Sequence, residues 1–278
     1  MPILNMKNYQ EKEIIDLSKE STTLKEKGIT PTLYIITDGI DNKCKTYMKS
    51  KLLYGEKVGI SVVVKTIQTV DELDELLETA YQRNIPTIMQ LPIKKELEEY
   101  YNKNTLSKVL DVDGFFSYQN LVGRNWDNAP CTPKGVMNYI LDSNGLDLDC
   151  RNKHLLVVGR GNLCGMPLSI MGLQEFGTIT IITSKTNKYI KLQALKTADV
   201  IVLATGIKGS VKMSELPKDR NIFVMNVGTI LDENLKLTTE LDVDCEMDNV
   251  WYTPRIGGVG VLTVLSLMEN VINFYKYE

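Results

Sequence analysis

The chain has 278 residues, of which 43% are hydrophobic and 24% charged, and 32 Lys and Arg against 35 Asp and Glu give a formal net charge of −3. This length is enough for two domains of ordinary size, and the near-neutral charge argues against nucleic-acid binding, which favours a basic excess on one face. Without a run of roughly 18 apolar residues the sequence predicts no membrane span, and its start lacks the apolar core of a signal peptide.

Cysteine and histidine usage narrows the chemistry further. The five cysteines are scattered and form no C-x-x-C pair, which argues against a disulfide framework or a zinc site and favours a reducing, cytoplasmic location. The single histidine, His154, excludes HExxH zinc sites and histidine relays, so no metal site is expected. Because His154 directly precedes an apolar run at 155–159, we expect it at the amino-terminal end of a strand, away from the end where open sheets bind ligands.

Short β-branched runs alternate with helix-like stretches along the chain. The runs predicted to be strands are 32–37, 60–66, 86–90, 155–159, 178–183, 200–206 and 222–228. Residues 69–82 are predicted to form a helix, since Leu73 and Leu77 recur at helical spacing and Thr69 and Glu72 fit a capping box at its start. Continuous apolar strands separated by helices indicate parallel sheets covered on both faces. The expected fold class is α/β, with two α/β domains flanking a cleft, the second a Rossmann-like doubly wound parallel sheet.

The polar, turn-rich stretch 120–133 is the strongest candidate for a domain boundary. We expect residues 1–122 to form a separate N-terminal α/β domain and residues 262–278 to form a final apolar helix. Residues 123–261 are expected to form a Rossmann-like dinucleotide-binding domain, because four strand-like runs follow one another there and the first of them ends in a glycine-rich turn.

The segment from Leu155 to Pro167 reads as a strand, a glycine turn and the start of a helix. Its glycines, Gly159, Gly161 and Gly165, follow the spacing G-x-G-x-x-x-G, one residue longer than the standard dinucleotide fingerprint. The free backbone N–H groups and the dipole of the following helix would favour a phosphate. A tight glycine turn without a ligand is the alternative.

The end of the next strand-like run bears on the choice between NAD and NADP. Chains selective for NAD usually carry an Asp or Glu there for the ribose 2′-hydroxyl, whereas this chain has Ser184 and Lys185, with Arg160 in the glycine turn. Hydroxyl and cationic side chains complement a 2′-phosphate, so NADP is the expected cofactor. For Lys185 alone, a solvated surface position is the alternative.

Three motifs in the first half of the chain carry polar side chains where ligands are commonly bound. Tyr47 and Lys51 are four residues apart and would share one helix face, although such a pair taken alone is usually an exposed helix pair. Gln90 ends a strand-like run. Asp111 and Asp113 end another, and alternation along a strand would direct them to opposite sides.

Together these segments resemble the methylenetetrahydrofolate dehydrogenase/methenyltetrahydrofolate cyclohydrolase family. The resemblance extends over nearly the whole chain and rests on six motifs. They are Y-x-x-x-K at Tyr47–Lys51, Q-L-P at Gln90–Pro92, D-V-D-G at Asp111–Gly114, P-C-T-P-K-G at Pro130–Gly135, the glycine loop at Val157–Pro167 and the late glycine segment at Thr253–Thr263. Chance does not produce six motifs in matching order and spacing.

The resemblance implies a bifunctional folate enzyme of the one-carbon metabolism that serves purine biosynthesis. Such enzymes oxidise 5,10-methylenetetrahydrofolate to 5,10-methenyltetrahydrofolate with NADP⁺ and hydrolyse the product to 10-formyltetrahydrofolate. Carried over to this chain, the resemblance makes Lys51 the acid–base group, Gln90 its orienter, Tyr47 the ring that stacks on folate and Asp113 the carboxylate that binds the pterin. A lysine in a semi-enclosed pocket can exchange a proton near neutral pH, because desolvation disfavours its charged form.

The remaining site residues are expected on the same basis. The substrate-binding residues are expected to be Tyr47, Gln90, Leu91, Pro92, Asp113, Gly257, Gly258 and Val261. The cofactor-binding residues are expected to be Gly159, Arg160, Gly161, Gly165, Ser184, Thr205, Gly206, Thr229 and Ile230. Family members are homodimers joined through their cofactor domains, so the resemblance implies a homodimer that binds tetrahydrofolate one-carbon derivatives. It also implies that residues 1–122 form a folate-binding, catalytic domain, completed by the C-terminal helix at 262–278.

The chain departs from the family pattern at several positions. Gly161 stands in place of a loop serine, Thr183 in place of a histidine, and Ile256 and Val261 in place of two prolines. Loss of the prolines makes the late glycine segment less rigid. Two alternatives stay open: a monofunctional dehydrogenase, which the retained lysine and glutamine argue against, and a non-catalytic folate- or nucleotide-binding module.

Overall fold

The structure is a computed structural model that describes residues 2–39, 44–116, 121–228, 230–231 and 237–276, with the backbone alone for 44–47, 231 and 237. The chain forms two compact units. Unit A comprises Glu11–Tyr118, Asp127–Cys131 and Val264–Glu278, and unit B comprises Met1–Gln10, Gln119–Trp126 and Thr132–Thr263. No helix in the described ranges combines the length and apolar character needed to cross a membrane.

Unit A is built on a three-stranded parallel sheet with the strand order β2-β1-β3. Its strands are β1 (Thr32–Thr37), β2 (Ser61–Thr66) and β3 (Thr87–Met89), and its helices are α1 (Lys7–Glu26, which begins in unit B), α2 (Cys44–Val58), α3 (Val70–Gln82), α4 (Lys95–Lys103) and α5 (Thr105–Leu110). The three strands predicted in this region are confirmed to within one residue at each end. The central strand β1 is buried along almost its whole length, as its unbroken apolar run requires.

Helix α3 shows how local sequence determines a boundary. Thr69 is its N-cap, and the threonine hydroxyl accepts a hydrogen bond of 3.3 Å from the backbone N–H of Glu72. The Glu72 carboxylate accepts from the backbone N–H of Gln68 at 2.7 Å, one residue before the cap, so the predicted capping box forms in one direction only. Leu73 and Leu77 are buried, which confirms the predicted apolar face.

Unit B contains a five-stranded parallel sheet with the order β12-β8-β6-β4-β5. Its strands are β4 (His154–Val158), β5 (Thr178–Ile182), β6 (Val200–Leu203), β8 (Ile222–Asn226) and β12 (Val250–Tyr252), and its helices are α6 (Cys131–Leu141, which begins in unit A), α7 (Gly165–Glu175) and α8 (Lys188–Thr197). The chain leaves β4 for β5 on one side and then forms β6 on the other side of β4. A ligand crevice forms at such a change of direction, and the predicted Rossmann-like α/β fold is confirmed.

Four short strands, two 3₁₀ turns and a final helix complete the described chain. Strand β7 (Val211–Lys212) pairs in parallel with β11 (Leu241–Asp242), and β9 (Ile230–Leu231) pairs antiparallel with β10 (Leu237–Thr238). The 3₁₀ turns are Cys150–Asn152 and Met213–Glu215, and the final helix is α9 (Val259–Lys276). The strands β7 and β9 to β12 are two or three residues long and were not predicted, because strands this short carry little alternation. The equally short β3 was predicted as part of the run 86–90. The predicted final helix is confirmed, and it begins three residues earlier than expected.

The first ten residues belong to unit B because they extend its sheet. Ile3 forms a parallel bridge with Tyr252 of β12, and the backbone N–H of Leu4 donates to the Tyr252 carbonyl at 2.9 Å. The sequence placed this segment with the N-terminal domain, and nothing in it indicates a partner some 250 residues away. The proposed division into one domain of 1–122 with 262–278 and another of 123–261 therefore differs from the compact units at this segment. It also differs at 121–122 and 262–263, which belong to unit B, and at 127–131, which belong to unit A.

The single histidine occupies the end of the sheet that the sequence predicted. His154 is the first residue of β4, its backbone N–H donates to Asp199 Oδ2 at 2.8 Å, and its Nε2 lies 2.9 Å from Thr180 Oγ1. These contacts give His154 a packing role at the amino-terminal end of the strand.

Candidate functional site

The glycine loop of unit B is shaped by close backbone packing. Gly159 follows β4 with φ +108°, and a Cβ atom there would lie 2.4 Å from the carbonyl oxygen of Ala204. A Cβ at Gly165 would lie 2.4 Å from the Gly159 carbonyl oxygen. Gly161 has open space around its Cβ position. The first and last glycines are thus required by contacts within the unit, and the middle one leaves room for a ligand.

A cleft of about 470 Å³ opens at the carboxyl ends of β4, β5 and β6, within the size range of small-molecule sites. It is lined by Val158, Gly159, Arg160, Gly161, Ile182, Thr183, Ser184, Thr186, Lys191, Ala204, Thr205, Ile207 and Ser210. We call it the unit B cleft. Its position matches the change of chain direction between β4 and β6, where open α/β sheets bind their ligands.

Most of the residues predicted to bind the cofactor converge on this cleft. Those that line it are Gly159, Arg160, Gly161, Ser184 and Thr205. Gly165 lies at the start of α7, Gly206 directly follows Thr205, and Ile230 lies in β9, all outside the lining set. Thr229 lies outside the described residues.

The sequence did not single out Lys191, which lines the cleft where Lys185 was expected to contribute a charge. Lys191 lies in the first turns of α8, and its Nζ donates to Glu215 Oε2 at 2.9 Å and to the Ser210 carbonyl at 3.0 Å. Its charge is therefore paired within the protein, whereas Arg160 is exposed at the rim. The only sequence signal for Lys191 is its place one turn into the helix after the loop that contains Ser184.

In unit A, Lys51 and Gln90 form a direct contact. Lys51 lies on α2 with 9% of its surface exposed, and its Nζ donates to Gln90 Oε1 at 2.9 Å. Gln90 continues β3, because its backbone N–H donates to the Ile36 carbonyl at 2.8 Å. Its side-chain Nε2 donates to the Leu91 carbonyl at 3.0 Å, which directs Oε1 towards the lysine. A nearly buried amine is thus held by a neutral, oriented acceptor.

The two carboxylates of the D-V-D-G motif have different environments. Asp111 is 2% exposed and accepts backbone N–H bonds from Asp113 at 2.9 Å, Gly114 at 3.2 Å and Phe116 at 3.2 Å. Asp113 is half-buried. Asp111 therefore holds the turn together, and Asp113 is the carboxylate with surface left for a ligand. Gly114 has φ +81°, and a Cβ there would lie 2.5 Å from Ala129, so the turn accepts no other residue without rearrangement.

Burial, assisted by the charge of Asp113, raises the pKa of Asp111 to about 7. Between the ordinary aspartate pKa of about 4 and pH 7, the folded protein binds more protons at this residue than the unfolded chain, so its contribution to stability is lost as the pH rises. We therefore expect the Tm of the wild type to fall steadily relative to that of Asp111→Asn as the pH rises over this range. Differential scanning calorimetry from pH 4 to pH 8 measures it, and a constant difference contradicts the assignment.

The other predicted substrate-binding residues are distributed between the units. Leu91 is half-buried and Pro92 exposed in unit A, where their peptide bond is cis. In unit B, Gly257 has φ +75°, and a Cβ at Gly258 would lie 2.1 Å from the Pro254 carbonyl oxygen. Val261 lies in the first turn of α9 and donates its backbone N–H to the Gly258 carbonyl at 3.0 Å.

Tyr47 lies on α2 one turn before Lys51, but its side chain is outside the described part of the structure. In the ranges that the structure describes, no group of three His, Cys, Asp or Glu side chains is arranged to hold a metal ion.

Comparison with known proteins gives a consistent result. Residues 130–278 match the family model for the tetrahydrofolate dehydrogenase/cyclohydrolase NAD(P)-binding domain. The bifunctional protein FolD of Staphylococcus aureus is 32% identical over 266 residues, which cover 92% of this chain and 90% of that protein. The crystal structure of FolD, a methylenetetrahydrofolate dehydrogenase/cyclohydrolase, from Campylobacter jejuni is 27% identical, with a TM-score of 0.86 over 100% of this chain and 99% of that one.

A more distant enzyme has the same fold. The Trypanosoma brucei methylenetetrahydrofolate dehydrogenase-cyclohydrolase, solved with NADP and an inhibitor, is 23% identical, with a TM-score of 0.86 over 100% of this chain and 99% of that one. The family model covers more than half of the chain and the bacterial relative almost all of it. With the glycine-lined cleft of unit B and the Lys51–Gln90 pair of unit A, these matches show that the chain belongs to the tetrahydrofolate dehydrogenase/cyclohydrolase family.

Proposed function

We propose that the chain is a bifunctional enzyme of folate one-carbon metabolism. It oxidises 5,10-methylenetetrahydrofolate to 5,10-methenyltetrahydrofolate with NADP⁺ and hydrolyses the product to 10-formyltetrahydrofolate. The observation that carries the proposal is the 2.9 Å hydrogen bond from the nearly buried Lys51 amine to Gln90 Oε1. Family membership supplies the reaction class, and this pair supplies the group that the hydrolytic step requires.

The cyclohydrolase step needs one group that can take and return a proton. Water adds to the methenyl carbon, loses a proton, and one carbon–nitrogen bond then breaks as its nitrogen gains a proton. Lys51 Nζ is assigned both transfers. Gln90 suits the neighbouring position because a neutral amide orients the amine, whereas a carboxylate there would form an ion pair and hold the lysine in its charged form.

Folate binding is assigned to Asp113, Tyr47, Leu91 and Pro92 of unit A. Asp113 would accept hydrogen bonds from the amino and ring N–H groups of the pterin, on a turn that Asp111 fixes from within. Tyr47 would stack on the folate rings, and Leu91 and Pro92 are assigned to the same substrate. The resemblance also assigns Gly257, Gly258 and Val261, which lie in unit B, to the substrate.

The dehydrogenase step would use the unit B cleft, whose residues would hold a dinucleotide that supplies the hydride acceptor. The residues fit a dinucleotide, because open space at Gly161 and the amino terminus of α7 suit a pyrophosphate. Ser184 and Arg160 suit a 2′-phosphate, and the lining residues at the end of β5 include no acid for an NAD ribose. These features support NADP over NAD.

A pair of absorbance assays tests the function. Purified protein with methylenetetrahydrofolate and NADP⁺ should form the methenyl compound, and protein given the methenyl compound alone should accelerate its loss, with kcat/KM higher for NADP⁺ than for NAD⁺. No methenyl formation with either dinucleotide contradicts the dehydrogenase assignment. Methenyl loss at the uncatalysed rate indicates the monofunctional alternative, and binding without turnover indicates the non-catalytic one.

The enzyme is further proposed to work as a cytoplasmic homodimer joined through unit B. Within the described residues, β5 pairs with β4 on one side only, which leaves an edge available for another chain. Ile181 on β5 is 41% exposed and Leu173 on α7 is 66% exposed. Exposed apolar side chains at a sheet edge favour a self-complementary contact between two copies. Among the described residues, Cys131, Cys150, Cys164 and Cys245 form no disulfide, which suits a reducing compartment.

Ile181→Lys combined with Leu173→Glu should convert the dimer to a monomer, because it places charges at the proposed contact. Sedimentation velocity at micromolar concentration measures the mass. Val109→Lys is a matched control, since Val109 is 55% exposed in unit A, and it should leave the dimer intact. A dimer that survives the double substitution shows that the contact lies elsewhere.

A further inference from the structure

Glu240 is a fully buried carboxylate in unit B that no sequence motif singled out. Its exposed fraction is 0%. Its Oε2 accepts hydrogen bonds from the Thr205 backbone N–H at 2.8 Å and the Thr205 hydroxyl at 2.6 Å, and its Oε1 accepts from the Gly206 backbone N–H at 3.1 Å. A buried carboxylate is costly unless such donors satisfy it. The Ser210 hydroxyl also donates to Oε2, at 3.5 Å. The three shorter hydrogen bonds come from one short segment, 205–206, which Glu240 therefore holds in place.

This segment is one wall of the unit B cleft. It follows β6 directly, and β6 is the neighbour of β4, which leads into the glycine loop. The two walls touch, because a Cβ at Gly159 would lie 2.4 Å from the Ala204 carbonyl oxygen. Thr205 itself lines the cleft. A shift of the 204–206 segment would therefore change the space available beside the glycine loop.

Glu240 also contacts the backbone at the end of β8. A Cβ at Gly228 would lie 2.5 Å from Glu240 Oε1. The backbone next to Glu240 is fixed to β8. Leu241 donates its backbone N–H at 3.0 Å to Oδ1 of Asn226, the last residue of β8. Glu240 thus connects the carboxyl ends of β6 and β8 to the segment between β10 and β11.

We infer that Glu240 is a positioning residue for the dinucleotide, and that its carboxylate holds the 204–206 segment at the distance from the glycine loop that cofactor binding needs. Glu240 does not itself line the cleft, so it acts through Thr205 and Gly206. The inference rests on the proposed function in one respect only, which is that the ligand of the cleft is a dinucleotide. It assigns a role in the dehydrogenase step and none in the cyclohydrolase step.

Glu240→Gln tests this role with little change of shape. The amide keeps one acceptor oxygen but turns an NH₂ group towards at least one of the three donors, so the 205–206 segment must move. The Kd for NADP⁺, measured by calorimetry, and the KM for NADP⁺ should rise about 10- to 100-fold, as loss of hydrogen bonds to a charged group implies. The kcat of the dehydrogenase should change far less, and cyclohydrolase activity should stay at the wild-type level.

Asp199→Asn is the matched control. The Asp199 carboxylate also accepts a backbone N–H in unit B, that of His154 at 2.8 Å, and it lies 3.6 Å from Arg220 NH1, but it does so at the amino-terminal end of β4. This variant should lower Tm and leave the Kd for NADP⁺ unchanged. Glu240→Asp, which keeps the charge but withdraws it by one methylene, should also raise Kd, and it replaces the glutamine variant if that fails to fold.

Several outcomes overturn the inference. They are an unchanged or tighter Kd in both Glu240 variants, an equal weakening in Asp199→Asn, or an equal loss of cyclohydrolase activity. Because Kd is measured without turnover, the result is independent of the proposed reaction. A wild-type protein that binds NADP⁺ but forms no methenyl product would contradict the proposed function and leave the test of Glu240 intact.

Discussion

Lys51→Met is expected to lower kcat/KM of the cyclohydrolase about 10²- to 10⁴-fold, the usual contribution of a positioned acid–base group. Methionine has a similar length and suits a site with 9% exposure, so the fold should persist. Gln90 Oε1 loses its donor, and no group remains there to accept the proton of the attacking water. Hydride transfer needs no proton from Lys51, so the dehydrogenase should fall less. The rate of methenyl loss, measured with each variant, gives the comparison.

A neighbouring lysine supplies the control for this variant. Lys49 lies two residues away on the same helix and is exposed, so Lys49→Met should hydrolyse the methenyl compound at the wild-type rate. The rate of hydrolysis by Gln90→Leu should lie between those of Lys51→Met and Lys49→Met, since the Lys51 amine is kept but loses its oriented partner. Wild-type hydrolysis by Lys51→Met, or an equal loss in Lys49→Met, would show that the proton assignment is wrong.

Gly159→Ala is expected to remove cofactor binding and leave hydrolysis in place. The backbone at this position has φ +108°, and the added Cβ would lie 2.4 Å from the Ala204 carbonyl oxygen. The conformation alone costs about 1–3 kcal/mol, and the contact forces the glycine loop and the 204–206 segment apart. The Kd for NADP⁺ should rise by at least about ten-fold and the dehydrogenase should fall with it. The cyclohydrolase activity, which is assigned to the Lys51–Gln90 pair of unit A, should stay at the wild-type level.

Gly28→Ala is the control that separates the effect of backbone strain from the effect of a clash beside the unit B cleft. Gly28 has φ +82° in unit A with open space around its Cβ position, so alanine there carries the conformational cost without a clash near the cofactor. It should lower Tm and leave NADP⁺ binding unchanged. Wild-type NADP⁺ affinity in Gly159→Ala would contradict the assignment of the glycine loop to the cofactor.

The sequence was most informative where a signal is local. The strands at 32–37 and 155–159 could be predicted because a buried parallel strand needs a continuous apolar run. The helix at Val70–Gln82 could be predicted because Thr69 caps it and its leucines share one face. The pairing of Lys51 with Gln90, 39 residues apart, was expected only because their motifs resemble those of a known family. Spacing alone does not bring two such residues together.

What the sequence determined by itself is the order of strands and helices, the glycine turn after β4 and the motifs of a folate enzyme, because each depends on neighbouring residues. The tertiary structure alone decided which lysine faces the unit B cleft, where the first ten residues pair, and which residues Glu240 contacts. Lys191 rather than Lys185 lines the cleft because of the path of α8. Glu240 meets Thr205, 35 residues earlier, because β11 returns to β7 beside the end of β6. Contacts of this kind depend on the route of the chain between strands, which residue type and spacing do not specify.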